Sequence, residues 1–453
     1  MSLMRIAILG FGREGQSVLK FLQNRGLTRT GTRTDVDELW ILDKNPSIKT
    51  PPVLKKQLGP GYLKNLKRFD LIFRSPGIPY SLKELVKARS AGVKMQSATK
   101  LFFSAVGGSA SGGEQIRGLT LRQAQGIKVI GITGTKGKGT TSTLLRDILQ
   151  RAGKDVYLAG NIGESPLEIL PRLSASSQRK SAIVILELSS FQLQDLKISP
   201  KYAVILEVFP DHQDAHLNLR EYYEAKANIA RYQTRGDKIF YFAHDAKSEA
   251  IAKKSGGKKI AVNTEKFKSF GPADLKLPGA HNFRNVVMAA TVAQNLGIPQ
   301  SVIKEAVKNF PGTEHRLEFV GNLAGVAFYN DSASTNPQTA AAAILAFPRQ
   351  SKILIAGGQD KGLDYKPLAN ALKHSNTSLV ILFGENQKKI AGAIQGAAPV
   401  ESVGTLEEAV RFAKERAHIG SVVIFSPGAA SFDMFKNYAD RGQEFKKILE
   451  ALR

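Results

Sequence analysis

The chain has 453 residues, 42% hydrophobic and 23% charged, with no cysteine and a formal charge of +25. At ~150 residues per domain this length predicts about three domains of globular composition. The missing cysteines exclude thiol nucleophiles, Cys-ligated zinc and iron–sulfur clusters, and no apolar run or leader suggests a membrane or an oxidising compartment, so a cytoplasmic chain without membrane insertion is expected.

The first block alternates strand and helix. Ile6–Leu9 reads as a strand, Gly10-Phe-Gly-Arg-Glu-Gly15 as a glycine-rich turn, and residues 16–22 as a helix. A second strand, Leu39–Leu42, ends in Asp43. That is the arrangement of a Rossmann-like nucleotide site, with an acid ~20–30 residues beyond the glycines. The acid falls late because residues 28–38 look like a polar insertion. A further strand, Phe69–Phe73, leads into Arg74-Ser-Pro-Gly77, a turn of the kind that open α/β sheets use around ligands. From residue 105 to 125 the chain becomes Gly/Ser-rich, which marks a linker or an exposed insertion and a domain boundary.

The second block opens on Gly131-Ile-Thr-Gly-Thr-Lys-Gly-Lys-Gly-Thr-Thr-Ser-Thr143, between the strand 127–130 and a helix over 143–150. Glycines let backbone N–H groups approach phosphate oxygens, the helix N-terminus favours negative charge, and Lys138 reaches the terminal phosphates. The spacing departs from the full G-x-x-x-x-G-K-[ST] pattern, because Ile132 replaces its first glycine and Gly139 its hydroxyl. Thr140 is then the nearest hydroxyl for a magnesium ion. Strands at 181–187, 202–206 and 238–242 follow, with a helical stretch from Asn282 to Leu296. Glu187, at a buried strand's end, is placed to hold a nucleotide-bound Mg²⁺. The next strand runs into a cluster of Asp211, His212, Asp214 and His216, which invites a metal or catalytic reading.

A third alternating block begins near Pro311, with strands at 325–330, 352–356, 378–383 and 421–425 and a helix over 406–417. Its polar strand ends, Asp331-Ser332, Gly357–Lys361 and Ser426–Gly428, fit a parallel β/α arrangement.

Taken in order, Gly134-Thr-Lys-Gly-Lys138, Glu187–Gln192, Asp211-His212, Gly279-Ala-His-Asn282, His315-Arg316 with Asn330-Asp331-Ser332, and Ser426–Asp433 with Phe435–Gly442 resemble the ATP-dependent Mur ligases. The resemblance covers nearly the whole chain and is nearest to the members that add D-glutamate. It implies an α/β fold in three domains: a Rossmann-like domain over 1–103 for the UDP substrate, a central P-loop ATPase domain over 104–312 (104–125 its linker or insertion), and a C-terminal Rossmann-like domain over 313–453 for the amino acid. It implies a peptidoglycan-precursor ligase, probed by UDP-N-acetylmuramoyl-L-alanine, D-glutamate and ATP, with two Mg²⁺ ions and an acyl-phosphate intermediate; a monomer is expected.

By the same resemblance Lys138, Glu187, His212 and Lys226 are catalytic, with Thr140, Glu187, His212 and a carbamylated Lys226 around the metals. Gly134, Thr135, Lys136, Gly137, Lys138, Gly139, Thr140, Asn282, Asn285, Arg316 and Asp331 would bind ATP. Gly12, Arg13, Glu14, Asp43, Lys44, Ser75, Pro76, Gly77 and Asn161 would hold the UDP substrate, and Thr335, Lys361, Ser431 and Tyr438 the amino acid. A lysine there offsets the desolvation of a dicarboxylate.

Two positions depart from the family. Ala333 stands where a lysine is usual, removing a cation beside the amino-acid and phosphate sites, and Gly139 is more usual in folylpolyglutamate synthase, which lacks the N-terminal UDP domain. Another Mur-type or folylpolyglutamate-synthase-like ligase is therefore one alternative. Outside the class, a basic nucleic-acid-binding ATPase would account for the charge, and a dinucleotide oxidoreductase for Gly10–Gly15. Without an arginine-rich tail or aromatics among basic residues, no nucleic-acid partner is expected.

Overall fold

A computed structural model of the chain describes residues 4–24, 38–106, 126–175, 182–210, 216–277 and 279–453. The polar insertion near residues 28–38, most of the Gly/Ser-rich stretch and the Asp211–Asp214 cluster lie outside these residues, apart from Glu38, which begins a strand. Three sheets account for the described strands. The chain divides into two compact units, one of Met1–Phe267 with Val287–Pro299 and the other of Lys268–Val286 with Gln300–Arg453. The division falls inside the helix Ala280–Asn295.

The first sheet holds β1 (Arg5–Leu9), β2 (Glu38–Asp43), β3 (Lys55–Leu58), β4 (Leu71–Arg74) and β5 (Lys94–Gln96), all parallel in the order β3-β2-β1-β4-β5. Strands covered by helices on both faces need continuous apolar sequence, and Ile6, Ala7, Ile8 and Leu9 of β1 are all buried. The helix Ala98–Val106 runs past residue 103 with Leu101, Phe102 and Phe103 in the core.

The second sheet adds β6 (Lys128–Thr133), β7 (Val156–Gly160), β8 (Ile183–Glu187), β9 (Tyr202–Ile205), β10 (Lys238–Phe242) and β11 (Lys258–Val262) in the order β11-β10-β9-β6-β8-β7. Every described pairing is parallel. Its register sets Ile132 of β6 opposite Glu187 of β8, so the phosphate loop and the acid leave the sheet side by side.

The third sheet comprises β12 (Glu318–Leu323), β13 (Val326–Asn330), β14 (Lys352–Gly357), β15 (Thr377–Phe383), β16 (Val400–Ser402) and β17 (Val422–Phe425), ordered β12-β13-β17-β14-β15-β16. It is parallel except for β12, which joins β13 antiparallel through a two-residue turn, Ala324-Gly325, whose residues both have positive φ. The parallel reading of this block holds for its other strands and passed over β12. β12 escapes a period-two reading because its register shifts between Phe319 and Gly321 and it is mostly half-buried.

Within the first unit the two sheets are tied by a buried charge cluster. Arg74, at the end of β4, donates to Asp195 at 3.0 Å, to Phe191 O at 3.0 Å and to Ile78 O at 2.6 Å, and Lys100 lies 2.7 Å from the other Asp195 oxygen. Burial pushes the Asp195 carboxyl up, but Arg74 and Lys100 together outweigh it and hold the group below its ordinary range. A depressed carboxylate contributes stability above its unfolded pKa and loses it as pH falls through the folded value, so this cluster fails only in acid. Asp195→Ala leaves a buried arginine with carbonyls alone and is expected to cost about 3–5 kcal/mol, read as a lowered urea midpoint at pH 7. A shift below about 1 kcal/mol would show that the carbonyls suffice.

Candidate functional site

The phosphate loop is built by steric exclusion. Gly134 has φ 155°, and a Cβ there would lie 2.6 Å from Leu206 Cβ. Gly137, with φ 82°, caps the helix Lys138–Arg151. The helix begins five residues before the sequence suggests, since Lys-Gly-Thr-Thr lacks an apolar stripe although it forms the first turn. Early amides of a helix have no partner inside it, so this turn offers donors to an anion. Thr135 is held on both sides: its N–H donates to Glu207 O at 2.8 Å, and its hydroxyl lies 2.9 Å from the Tyr222 hydroxyl and 3.0 Å from Phe209 O. Lys136 is exposed, and Thr140 is half-buried in the first turn.

Two lysines converge on the loop. Lys138 Nζ donates to Gly134 O at 3.1 Å and Thr135 O at 3.0 Å, while Lys226 Nζ donates to Gly134 O at 2.7 Å. Lys226 is 2% exposed, on the helix Leu219–Arg231, with its ammonium 4.7 Å from the Tyr222 ring. Tyr222 and Lys226 sit one helical turn apart and so share a face. That spacing is the signal by which Tyr222 was available to sequence reading, which passed over it.

Glu187 is 3% exposed at the end of β8. Asn161 donates its backbone N–H to Glu187 O at 2.9 Å and its side-chain amide to Oε1 at 2.8 Å. Glu187 Oε2 is buried without a hydrogen-bond partner among the described residues. A buried carboxylate oxygen left this way is costly unless a cation takes it, so the site fits a hard divalent ion. His212 lies outside the described residues. His216 is buried, stacked on Phe191, edge-on to Tyr222 and 3.0 Å from the Ser190 hydroxyl. The other members of its polar cluster, Asp211, His212 and Asp214, lie outside the described residues, and no group of three or more metal-ligating side chains occurs among the described ones.

In the first sheet the glycine turn and the Ser75-Pro-Gly77 turn lie together. Ser75 donates its hydroxyl to Gly10 O at 2.7 Å, and Asp43 accepts from Phe11 N at 2.6 Å and Asn45 N at 2.8 Å. Gly12, Lys44 and Gly77 are exposed, with Pro76 half-buried. Arg13 donates to Gly160 O at 2.6 Å, Gly163 O at 3.0 Å and Asn161 O at 3.3 Å, and Glu14 accepts from Gln192 at 2.8 Å. Burial pushes the Glu14 carboxyl up despite that bond and nearby Arg13 and Arg74.

In the second unit Asp331, Lys361 and Ser431 follow the C-terminal ends of parallel strands, where open sheets bind ligands, while Asn282 and Asn285 lie on a helix. Asn282 and Asn285 are buried three residues apart on one helix face. His315 and Leu317 both have positive φ, 62° and 44°, and flank an exposed Arg316. Asp331 pins this turn by accepting from Leu317 N at 3.0 Å and also accepts from the Ser334 and Ser426 hydroxyls. Burial pushes the Asp331 carboxyl up to about 6 against those bonds and Arg316. The His315 ring is held below its ordinary value, chiefly by burial.

Three loops carry the amino-acid candidates. Gln359 N donates to Ala430 O at 2.9 Å, Gly428 N to Ser334 O at 2.9 Å, and the Ser332 hydroxyl to Tyr438 O at 2.8 Å. Ser431 is buried, Thr335 half-buried, and Lys361 exposed with its ammonium 6.0 Å from the Phe432 ring. Arg441, fully buried, laces them by donating to Ser332 O and Oγ, Ala429 O and Ala430 O at 2.9 to 3.1 Å. Its guanidinium is pushed down to about 10, mainly by burial, and stays charged at neutral pH. Sequence reading quoted Arg441 within a motif and gave it no role.

A phosphate loop beside a buried acid, with a nucleotide-type glycine turn before it and a third sheet of ligand loops after it, defines an ATP-dependent ligase architecture, and the chain belongs to the Mur ligase family. Residues 4–97 match the family model described as Mur ligase MurD-like, N-terminal domain, residues 132–269 the Mur ligase middle domain, and residues 315–428 the Mur ligase, glutamate ligase domain. Among curated relatives, the UDP-N-acetylmuramoylalanine–D-glutamate ligase of Symbiobacterium thermophilum is 35% identical over 99% of this chain and 98% of its own. That of Aquifex aeolicus is 33% identical over 99% of both. Among solved structures, the UDP-N-acetylmuramate-alanine ligase MurC of Thermotoga maritima aligns over 99% of this chain and all of its own with TM-score 0.57 at 17% identity. MurF ligase from the same organism, in complex with ADP, aligns over 100% and 96% with TM-score 0.55 at 15% identity, and both share the three-domain α/β fold.

The Asp331 shift has a definite sign. A folded pKa above the unfolded value makes the ionised carboxylate a burden at pH 7, relieved as pH falls through about 6 towards 4. Against Asp331→Asn, the wild type is expected to gain about 2 kcal/mol in relative stability between pH 7 and pH 4.5, read from urea midpoints. A flat difference would show that the carboxyl titrates normally.

Proposed function

We propose that the chain is an ATP-dependent amide-forming ligase that joins D-glutamate to UDP-N-acetylmuramoyl-L-alanine in peptidoglycan precursor synthesis. The observation that carries this reading is the buried Glu187 oxygen without a hydrogen-bond partner among the described residues, one strand from the loop on which Lys138 and Lys226 converge. ATP would lie on the first-turn amides of the helix Lys138–Arg151; by the family resemblance Asn282 and Asn285 would serve its adenine, and Arg316 and Asp331 its phosphates and ribose. Mg²⁺, bound through Glu187 and Thr140 and, for a second ion, His212 and a carbamylated Lys226, would neutralise charge on the transferring phosphoryl group.

Each protein group then has a chemical task. The alanyl carboxylate attacks the γ-phosphorus of ATP, the bond to the β-bridging oxygen breaks, and an acyl phosphate and ADP result. Lys138, released from the loop carbonyls, would follow the γ-phosphate oxygens. Glutamate's uncharged amine adds to the acyl carbon, and the tetrahedral intermediate expels inorganic phosphate as the amine loses a proton. Lys361 would pair with a glutamate carboxylate, and Ser431, Thr335 and Tyr438 would fix the rest. Domains over 1–103, 104–312 and 313–453, a monomeric state and a cytoplasmic location complete the proposal; among the described residues no helix is long and apolar enough to cross a membrane. Ala333, in place of the family's lysine, favours a different amino acid as the second reading.

Phosphate release with ATP and UDP-N-acetylmuramoyl-L-alanine, screened over amino acids, decides between them: D-glutamate alone should support turnover, and another amino acid or a nucleic-acid requirement would overturn the assignment. Lys361→Ala is expected to raise KM for glutamate about 10-fold or more while leaving KM for ATP within about 2-fold, the loss of a charge-assisted pair. Equal effects would remove Lys361 from the amino-acid site. Lys226→Ala should abolish ligation, and a fully active variant would remove that residue from the metal site.

A further inference from the structure

The first sheet's glycine turn and the metal carboxylate are joined by a short path of hydrogen bonds. Arg13, the first residue of the helix Arg13–Asn24, places Nη2 2.6 Å from Gly160 O and 3.3 Å from Asn161 O, and Nη1 3.0 Å from Gly163 O. One fork thus grips three carbonyls of a single loop. That loop has little freedom on its far side. A Cβ on Gly160 would come within 2.3 Å of Glu187 O, and one on Gly163 within 2.4 Å of Leu158 O. Asn161, between them, holds Glu187 at backbone and side chain, leaving Oε2 without a partner among the described residues.

The neighbouring residue repeats the connection. Glu14 accepts from Gln192, whose own Oε1 accepts from the Ser189 N–H and hydroxyl, two residues beyond Glu187. Consecutive side chains of the glycine turn therefore grip the segments on both sides of the acid. Neither Arg13 nor Glu14 is a metal ligand by geometry, and Arg13 is spent on carbonyls that any residue type would present.

We propose that Arg13 is a positioning residue for Glu187, acting through the loop 160–163 and Asn161 to hold the metal carboxylate in its binding orientation. The proposal rests on the reading of Glu187 as a Mg²⁺ ligand. It makes the glycine turn part of the metal site's support, so a change in the first sheet is felt as metal affinity. Outer partners that orient a ligand are worth about 10- to 100-fold in affinity when removed.

The test measures Mn²⁺ binding by electron paramagnetic resonance with a non-hydrolysable ATP analogue and no UDP substrate. Arg13→Ala is expected to weaken Mn²⁺ about 10-fold, Arg13→Lys to recover part of the loss, and Asn161→Ala to weaken it without adding to Arg13→Ala in the double variant. A thermal midpoint close to the wild type's for Arg13→Lys separates orientation from unfolding. Unchanged Mn²⁺ affinity in Arg13→Ala, or additive losses in the double variant, would overturn the proposal. Glu187→Gln serves as the reference: if it binds Mn²⁺ like the wild type, the metal reading itself fails and the proposal with it, whereas weakened binding there and unchanged binding in Arg13→Ala defeats the positioning role alone.

Discussion

The carbonyl of Gly134 accepts from two lysines at once, and much of the first unit is arranged to permit it. Two ammonium groups near one oxygen repel each other, and the arrangement persists because the loop cannot move: Gly134 is wedged against Leu206, and Thr135 is bound from both sides. Unmodified, both lysines bring cationic groups to the loop, as a polyphosphate ligand favours, and carbamylation of Lys226 would exchange one of them for an anion suited to a metal ion.

Buried charge elsewhere is handled in two different ways. Asp195 is ringed by Arg74 and Lys100, so ionic partners replace water. Arg441 has no carboxylate in contact among the described residues, although the Asp433 charge favours it, and carbonyls and a hydroxyl solvate its guanidinium as a set of fixed dipoles. The fork geometry matters, because one planar group reaches loops following β13 and β17 together. The ligand loops of the third sheet owe their mutual spacing to an internal cation rather than to packing alone.

Much of this was legible before any coordinates. Long buried strands such as those ending at Leu9, Glu187, Asn330 and Phe425 announce themselves as apolar runs, and polar or glycine-bearing turns mark their ends. Short edge strands did not: Lys55–Leu58, Lys258–Val262 and Val400–Ser402 are polar and largely exposed, which protects an edge but erases its pattern. The phosphate loop, Glu187 and the order of the family motifs were readable because each carries unusual residue types at fixed spacing. The grip of Asn161 on Glu187, the double use of Gly134 O and the reach of Arg13 were not, since they join residues 26, 92 and about 150 positions apart, the last two through backbone carbonyls. The stacking of the His216 ring on Phe191 was likewise not legible, since nothing in a polar loop announces an aromatic partner.

The strand order of the third sheet carries a consequence for biosynthesis. β17 sits between β13 and β14, pairing with both, yet it is the last strand of the chain, followed by a loop and the helix Tyr438–Ala451. Until it emerges from the ribosome, two half-sheets expose facing unpaired edges with nothing between them. Premature termination before residue 422 would leave both edges open, the form of chain most prone to pairing with its neighbours. The third sheet is therefore continuous only once β17 has paired with both neighbours.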